Sequence, residues 1–299
     1  MTYQGPQRAR FRKRKLQTGI LKFPQQPQLV NARDMSRRHL TMQGRFVYHH
    51  QLASDWVAPR DVIVYLPPGY DKYPNKFFPV IYMHDGNNLF DPATGFMGRE
   101  WKLDETLERL FKHDLMYECV VVGIYNTPAR LDEYTWHRHH HFGQQCGGTG
   151  LNYARFIAEE LMPMIENEYR VHIDPEWTGM MGSSLGAIIS FYIAQRYPIR
   201  FGKIAMMSPT VYWANHQLLK DVDAFPNNLK LWVDIGTEEG RNRHTEETVE
   251  STQELVQALE KIGYRQPANL GFYIEYMVGH DEHAWANRVE RPLRYLFGK

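Results

Sequence analysis

Two patterns in this chain predict an α/β fold, a mostly parallel, twisted sheet with helices on both faces. First, apolar strand-sized runs alternate with amphipathic helical segments, as successive βαβ units require. Second, the polar residues of chemical interest directly follow strands: Asp85 to Asn88, Ser184, Glu238 with Glu239, and His280. In parallel sheets chemistry gathers at the C-terminal ends of the strands. A length of 299 residues and a hydrophobic content of 43% suffice for one large domain with its own core.

Residues 1–40 read as a basic, irregular N-terminal segment and residues 41–299 as the α/β domain. Phe46 to Leu52 and Asp61 to Leu66 are β-like, and Pro67, Pro68 and Gly69 mark a turn. Phe78 to His84 is an apolar strand. Trp101 to Lys112 has helical spacing, with Leu103, Leu107, Leu110 and Phe111 on one side. Cys119 to Ile124 is a strand, and Tyr153 to Tyr169 a long helix. The strand after Glu176 leads into a helix over Leu185 to Tyr197, stopped by Pro198. Lys203 to Met207 and Lys230 to Ile235 are short strands, and Thr245 to Ile262 an amphipathic helix. Phe272 to Val278 is the last strand and Glu282 to Phe297 the last helix.

Composition narrows the function. The net charge is +1, but Arg8, Arg10, Arg12, Lys13, Arg14 and Lys15 form a run without an acid, so the rest of the chain is net negative. Such a tail can touch nucleic acid or anionic lipid. The plainer reading is a solvated terminus, with no nucleic-acid or membrane partner. No apolar region follows the basic run, so it does not read as a signal peptide. The longest apolar runs are too short for a transmembrane helix. Two cysteines, Cys119 and Cys146, make no disulfide framework, and their usage fits a cytoplasmic location.

The sharpest motif is Gly182-Ser183-Ser184-Leu185-Gly186, a G-x-S-x-G between a strand and a helix. This turn lifts a serine hydroxyl above the sheet, and its glycines leave room for so tight a bend. A serine hydroxyl needs a base to take its proton, and the base needs an acid to orient it. In α/β-hydrolases the three arrive in the order Ser, Asp/Glu, His. Ser184 is followed, past a later strand, by Glu239 and then by His280 at the end of the last strand. His283 rivals His280, and Glu238 and Asp234 rival Glu239. The backbone N–H of Leu185 and that of Asn87, in the loop after an earlier strand, are candidate oxyanion donors. The loop at Asn87 also reads as an ordinary Asn/Gly turn.

These residues resemble the putative esterase family of α/β-hydrolases, which includes enterochelin esterases, feruloyl esterases and S-formylglutathione hydrolases. The resemblance spans about residues 45–298. It is carried by VYLPPGY at 64–70, VIYMHDGNNLFD at 80–91, EWKLDE at 100–105, GSSLG at 182–186, GTEEG at 236–240 and HDEHAW at 280–285. It implies the α/β-hydrolase fold, Ser184 as nucleophile, Glu239 as acid, His280 as base and Asn87 as oxyanion donor. Ala187 departs from the family, which usually has glycine there. The implied activity is hydrolysis of a small-molecule carboxylic ester through an acyl-serine, without a cofactor; short-chain or aromatic acyl groups are expected because the sequence has no long apolar insertion that could form a lid. Acyl transfer and thioester hydrolysis are the enzymatic alternatives. A non-catalytic binding protein on the same scaffold is the alternative from another class.

Other features carry less. His137 to His141 supplies four histidines beside a glycine-rich loop, but neighbouring histidines on an irregular loop rarely converge on one ion, so no metal is expected. A place on the pocket rim suits the run better. Trp101, Tyr125 and Trp136 are candidates for an aromatic substrate pocket, with core packing as the alternative. Trp285, one turn past His280, reads as a wedge for the last helix.

Overall fold

The computed structural model describes residues 28–31, 42–141, 143–240 and 244–299, so the basic run at 8–15 lies outside the described residues. The strands are β1 (Gln28–Asn31), β2 (Arg45–Leu52), β3 (Arg60–Leu66), β4 (Val80–His84), β5 (Val120–Ile124), β6 (Arg138–His141), β7 (Gln144–Gly147), β8 (Thr178–Ser183), β9 (Lys203–Met207), β10 (Lys230–Glu238) and β11 (Leu270–Gly279). The helices are α1 (Gly69–Lys72), α2 (Leu103–Lys112), α3 (Arg130–Glu133), α4 (Gly150–Arg155), α5 (Met162–Glu168), α6 (Leu185–Arg196), α7 (Trp213–Asp221), α8 (His244–Lys261), α9 (Glu282–Arg288) and α10 (Glu290–Phe297).

Nine strands form one sheet in the order β1-β2-β3-β5-β4-β8-β9-β10-β11. From β5 to β11 every neighbouring pair is parallel, and β1, β2 and β3 extend the sheet antiparallel. This is the α/β architecture that the alternation predicts. β1 adds regular structure inside the segment expected to be irregular. The chain leaves β4 toward β5 on one side and later returns to β8 on the other. The sheet therefore changes winding direction between β4 and β8, and a crevice opens outside their C-terminal ends. The loop carrying Asn87 follows β4, and Ser184 follows β8.

Burial explains why the strands are apolar throughout. Val62, Val64, Val80, Tyr82, Val120 and Val122 belong to the core on one face. Their neighbours Ile63, Tyr65, Ile81, Met83 and Val121 belong to the core on the other. Period-two side chains buried on both faces leave no polar stripe. α2 turns Leu103, Leu107 and Leu110 into the second core, as its spacing predicts. Each such leucine contributes about 1.5–3 kcal/mol of burial.

The departures from expectation are local. The long helix is α4 and α5 joined by a π-helical stretch, Phe156–Leu161, just before Pro163. Proline lacks the N–H for the i−4 bond, and its ring crowds that carbonyl. The last helix divides at Val289, three residues before Pro292. The histidine run is a strand, since Arg138–His141 pairs with Gln144–Gly147. Among the described residues no helix is long and apolar enough to cross a membrane.

His84, at the end of β4, lies beneath the serine turn. A Cβ on Gly182 would stand 2.9 Å from its ring and one on Gly186 would stand 3.2 Å from its Cβ. Its Nδ1 pairs with the Tyr153 hydroxyl at 3.0 Å. Burial pushes the imidazole down to about 3 from its ordinary 6.5. The unfolded chain takes up that proton near 6.5 while the native state refuses it until about 3, so stability present at pH 7 is lost as the pH falls through this window. Between pH 7 and 5 the loss from this group is about 2 kcal/mol. Urea midpoints at the two pH values should fall further for the wild type than for His84→Gln.

Candidate active site

The serine turn is built by close backbone contact. A Cβ on Gly182 would lie 2.7 Å from the carbonyl carbon and oxygen of Gly186, so the strand and helix can meet only with glycine there. Between them Ser184 adopts φ 57° and ψ −123°, a conformation rare outside glycine. Its amide donates to the Met207 carbonyl at 3.0 Å, which ties the turn to β9. Its Oγ lies 2.9 Å from His280 Nε2 and 3.1 Å from Thr210 Oγ1.

His280 stands between the end of β11 and α9. The Asp281 carboxylate caps α9 by accepting the Ala284 N–H at 3.0 Å, which fixes how the chain leaves His280. His280 Nδ1 faces Glu239 Oε2 at 2.6 Å. The Trp285 ring system packs against the imidazole in a T-shaped pair, with centroids 5.0 Å apart at 79°. Glu239 follows β10 directly and its side chain is only 2% exposed. Its Oε1 accepts the Gly236 N–H at 2.8 Å, a short hydrogen bond from the Ser208 hydroxyl, and Arg288 Nη2 at 3.2 Å. Ser208 in turn accepts the Trp285 indole N–H at 2.9 Å.

Of the rivals, Glu238 is exposed and Asp234 is wholly buried with other partners, namely Arg288 Nε at 2.8 Å and the Trp232 indole at 2.7 Å. His283 is exposed and lines a separate surface recess with Arg99 and Lys102. Structure thus brings Ser184, His280 and Glu239 into one hydrogen-bonded line and leaves Glu238, Asp234 and His283 outside it.

Leu185 is the first residue of α6, where an amide has no carbonyl a turn behind it. Asn87 sits in the short 3₁₀ turn Gly86–Asn88, after Asp85 in left-handed backbone at φ 54°. Neither amide has a protein acceptor among the described residues. The Asn87 loop is pinned from several directions. Arg130 grips Asp85 with two bonds, Nε to Oδ1 at 2.7 Å and Nη2 to Oδ2 at 2.8 Å. Asn126 adds a bond to Asp85 Oδ1 at 2.6 Å, and Asn88 reaches Glu282 on α9 at 3.1 Å. Burial pushes the Asp85 carboxyl up, but the Arg130 charge and the hydrogen bonds from Arg130 and Asn126 together outweigh it and hold the group below its ordinary range.

A cavity of about 790 Å³ opens beside His280 and is lined by Thr210, Tyr212, His216, Leu219, Ile235 and Glu254 among others. Trp101, Tyr125 and Trp136 are not in its wall. Trp101 is in the core against Trp285, with centroids 5.8 Å apart, and Trp136 stacks on Tyr192 at 5.4 Å. Tyr125 packs against the second core. None of the three expected pocket residues lines this cavity: Trp101 is buried and cannot face a ligand, Tyr125 and Trp136 are half-buried against the core, and the aromatic wall of the cavity is Tyr212. His137 is paired with Asp221 at 2.7 Å, and His139 packs on Trp213 at 4.9 Å. Strand alternation sends adjacent histidines to opposite faces. Among the described residues no three His, Cys, Asp or Glu side chains are grouped to hold a metal ion.

Sequence reasoning missed Ser208, Thr210, Arg130 and Arg288. Ser208 and Thr210 follow β9, so the strand-end rule that marks Ser184 and His280 could have found them. The two arginines carry no motif.

Comparison with known proteins places the chain in a family. The family described as "Putative esterase" matches residues 57–296. YbbA of Bacillus subtilis (strain 168), an uncharacterized protein, is 30% identical over 246 residues, covering 80% of this chain and 93% of its own. The ferri-bacillibactin esterase BesA of the same organism is 25% identical over 213 residues, covering 62% of this chain and 68% of its own. Among solved structures, an IroE-like serine hydrolase from Shewanella oneidensis superposes with a TM-score of 0.67 at 20% identity, covering 84% of this chain and 80% of that one.

Arg130→Met should leave Asp85 buried and unpaired, at a cost of about 2–3 kcal/mol in urea unfolding. Adding Asp85→Asn should recover part of that loss, because no uncompensated charge then remains.

Proposed function

Because this chain belongs to the putative esterase family, and with it is a carboxylic-ester hydrolase of the α/β-hydrolase fold, we propose that it works through an acyl-enzyme on Ser184, with His280 as base and Glu239 as acid. The observation that carries the reading is the unbroken line from Ser184 Oγ to His280 Nε2 at 2.9 Å and from His280 Nδ1 to Glu239 Oε2 at 2.6 Å.

In this mechanism Ser184 Oγ attacks the ester carbonyl as His280 Nε2 takes its proton. Glu239 accepts the Nδ1–H hydrogen bond, which sets the tautomer and stabilises the imidazolium. Negative charge on the carbonyl oxygen is met by the Leu185 and Asn87 amides, held on rigid elements and without competing acceptors among the described residues. Collapse of the tetrahedral species breaks the C–O bond, and His280 returns the proton to the departing alcohol. Water then enters, His280 takes one of its protons, and the acyl group leaves as the acid with Ser184 restored.

The substrate in this reading is a small-molecule ester with a short or aromatic acyl group. The cavity's size suits a small ligand. Its wall mixes Tyr212, Leu219 and Ile235 with Glu250 and Glu254 from α8, a poor surface for a long alkyl chain. Two unpaired cysteines support a cytoplasmic location.

Ser184→Ala should lower kcat/KM on p-nitrophenyl acetate by several orders of magnitude with an unchanged melting temperature; activity within tenfold of wild type rejects the nucleophile. Glu239→Gln should cost far more activity than Glu238→Gln. Each step is carried by side chains and amides named above, so turnover should survive exhaustive EDTA treatment. Across acetyl, butyryl and palmitoyl esters, kcat/KM should be lowest for palmitoyl.

A further inference from the structure

Behind Glu239 lies a charge pair that the mechanism above does not use. Arg288, on α9, and Asp234, inside β10, both have side chains 0% exposed. Arg288 Nε donates to Asp234 Oδ1 at 2.8 Å, and its Nη2 reaches Glu239 Oε1 at 3.2 Å and the Ser208 hydroxyl. The Trp232 indole occupies the other Asp234 oxygen at 2.7 Å. The guanidinium thus sits between two carboxylates, one that faces His280 and one that does not.

We propose that Asp234 balances Arg288 so that the negative charge of Glu239 stays available to His280, which makes Asp234 and Arg288 positioning residues of the esterase site. This rests on the reading of Ser184, His280 and Glu239 given above. Arg288 contributes donors that hold Glu239 Oε1 and leave Oε2 to the imidazole. Its charge, however, is permanent. A buried cation at this distance, facing Glu239 alone, cancels much of the field that stabilises the imidazolium. With Asp234 ionised, the three groups sum to one negative charge, and that charge faces His280. Full burial is the largest influence and leaves the Asp234 carboxyl above its ordinary range, while the Arg288 charge and the Trp232 N–H pull it back toward the ionised form that the ion pair with Arg288 requires.

Other groups face the same region. Glu282 on α9 interacts with His280 and with Asp85 and Asp281, and Tyr212 faces Glu239. Glu275 on β11 faces Arg288. His216 on α7 and Glu247, Glu250 and Glu254 on α8 stand in the wall of the cavity that His280 borders. Of the carboxylates other than Glu239 that face Arg288, Asp234 is the one hydrogen-bonded to it, so its charge is the one whose removal acts most directly on the balance at Glu239.

The test is the pH dependence of kcat/KM on p-nitrophenyl acetate for wild type, Ser184→Ala, Asp234→Asn and the double variant Asp234→Asn/Arg288→Met. With Asp234→Asn, kcat should fall about tenfold with little change in KM, and the acid limb should move to lower pH by about half a unit or more, because the unbalanced cation disfavours imidazolium. Removing both charges should return the limb to within about 0.2 unit of wild type, since Glu239 again stands without an unbalanced neighbour. A limb unmoved in Asp234→Asn overturns the inference and makes Asp234 a neutral hydrogen-bonding group. Should that variant not fold, the double variant decides: a limb at the wild-type position supports the inference, and one displaced by half a unit or more overturns it. A Ser184→Ala protein as active as wild type overturns the mechanism itself, an outcome distinct from an unmoved limb in a Ser184-dependent enzyme.

Discussion

Everything at the site depends on one backbone constraint, the turn that holds Ser184 at φ 57° and ψ −123°. Strand β8 and helix α6 approach so closely that a Cβ on Gly182 would stand 2.7 Å from the Gly186 backbone, which only glycine allows. The cost of that conformation, of order 1–3 kcal/mol for a non-glycine residue, is offset by the packing around it. Val80, Tyr82 and Met180 from the central strands and Ile188 and Ile189 from α6 are nearly or wholly inaccessible to solvent. The turn presents the hydroxyl to the crevice at the β4–β8 switch point, and it starts α6 with its first amides unpaired. The same bend therefore aims the nucleophile and one oxyanion donor of the proposed mechanism.

Around that turn the polar groups form a layered network instead of a set of isolated pairs. His280 is steadied by Glu239 and by the Trp285 ring. Glu239 is steadied by Ser208, the Gly236 amide and Arg288, and Arg288 by Asp234. On the opposite side of Ser184 the Asn87 loop is fixed by the Asp85–Arg130 pair and by Asn88 bonded to Glu282. Glu282 and Arg288 both come from α9, so the helix after His280 braces both sides of the crevice. A buried charge left alone costs several kcal/mol, which makes such networks strong only when complete.

The sheet and the motif-bearing positions were legible because both rest on strong local signals. Apolar runs such as Val80–His84 and Val120–Ile124 mark strands buried on both faces, and G-x-S-x-G at a strand–helix junction marks the turn. Strand ends and chain order led to Glu239 and His280. The pocket was not legible. Trp101 and Trp136 looked available because aromatic residues near strand ends can line a cavity, yet their faces are taken by Trp285 and Tyr192. Which surface an aromatic ring covers depends on tertiary neighbours that spacing does not record. The histidine run was misread for a related reason: its pairing with Gln144–Gly147 comes from a turn and a partner strand, not from any periodicity of its own. Arg130 and Arg288 had no local signal, since an arginine in a helix reads as surface until its buried carboxylate partner is known.

The central claim is that the strained, hydrogen-bonded Ser184 is the nucleophile of this esterase. Its most direct test is covalent: treat the native protein with a fluorophosphonate and locate the adduct by peptide mass spectrometry. The account predicts stoichiometric modification of Ser184, abolished by unfolding the protein beforehand, because only the folded line to His280 and Glu239 activates the hydroxyl. Modification at Ser183 or Ser208, or equal labelling of the unfolded chain, would contradict it.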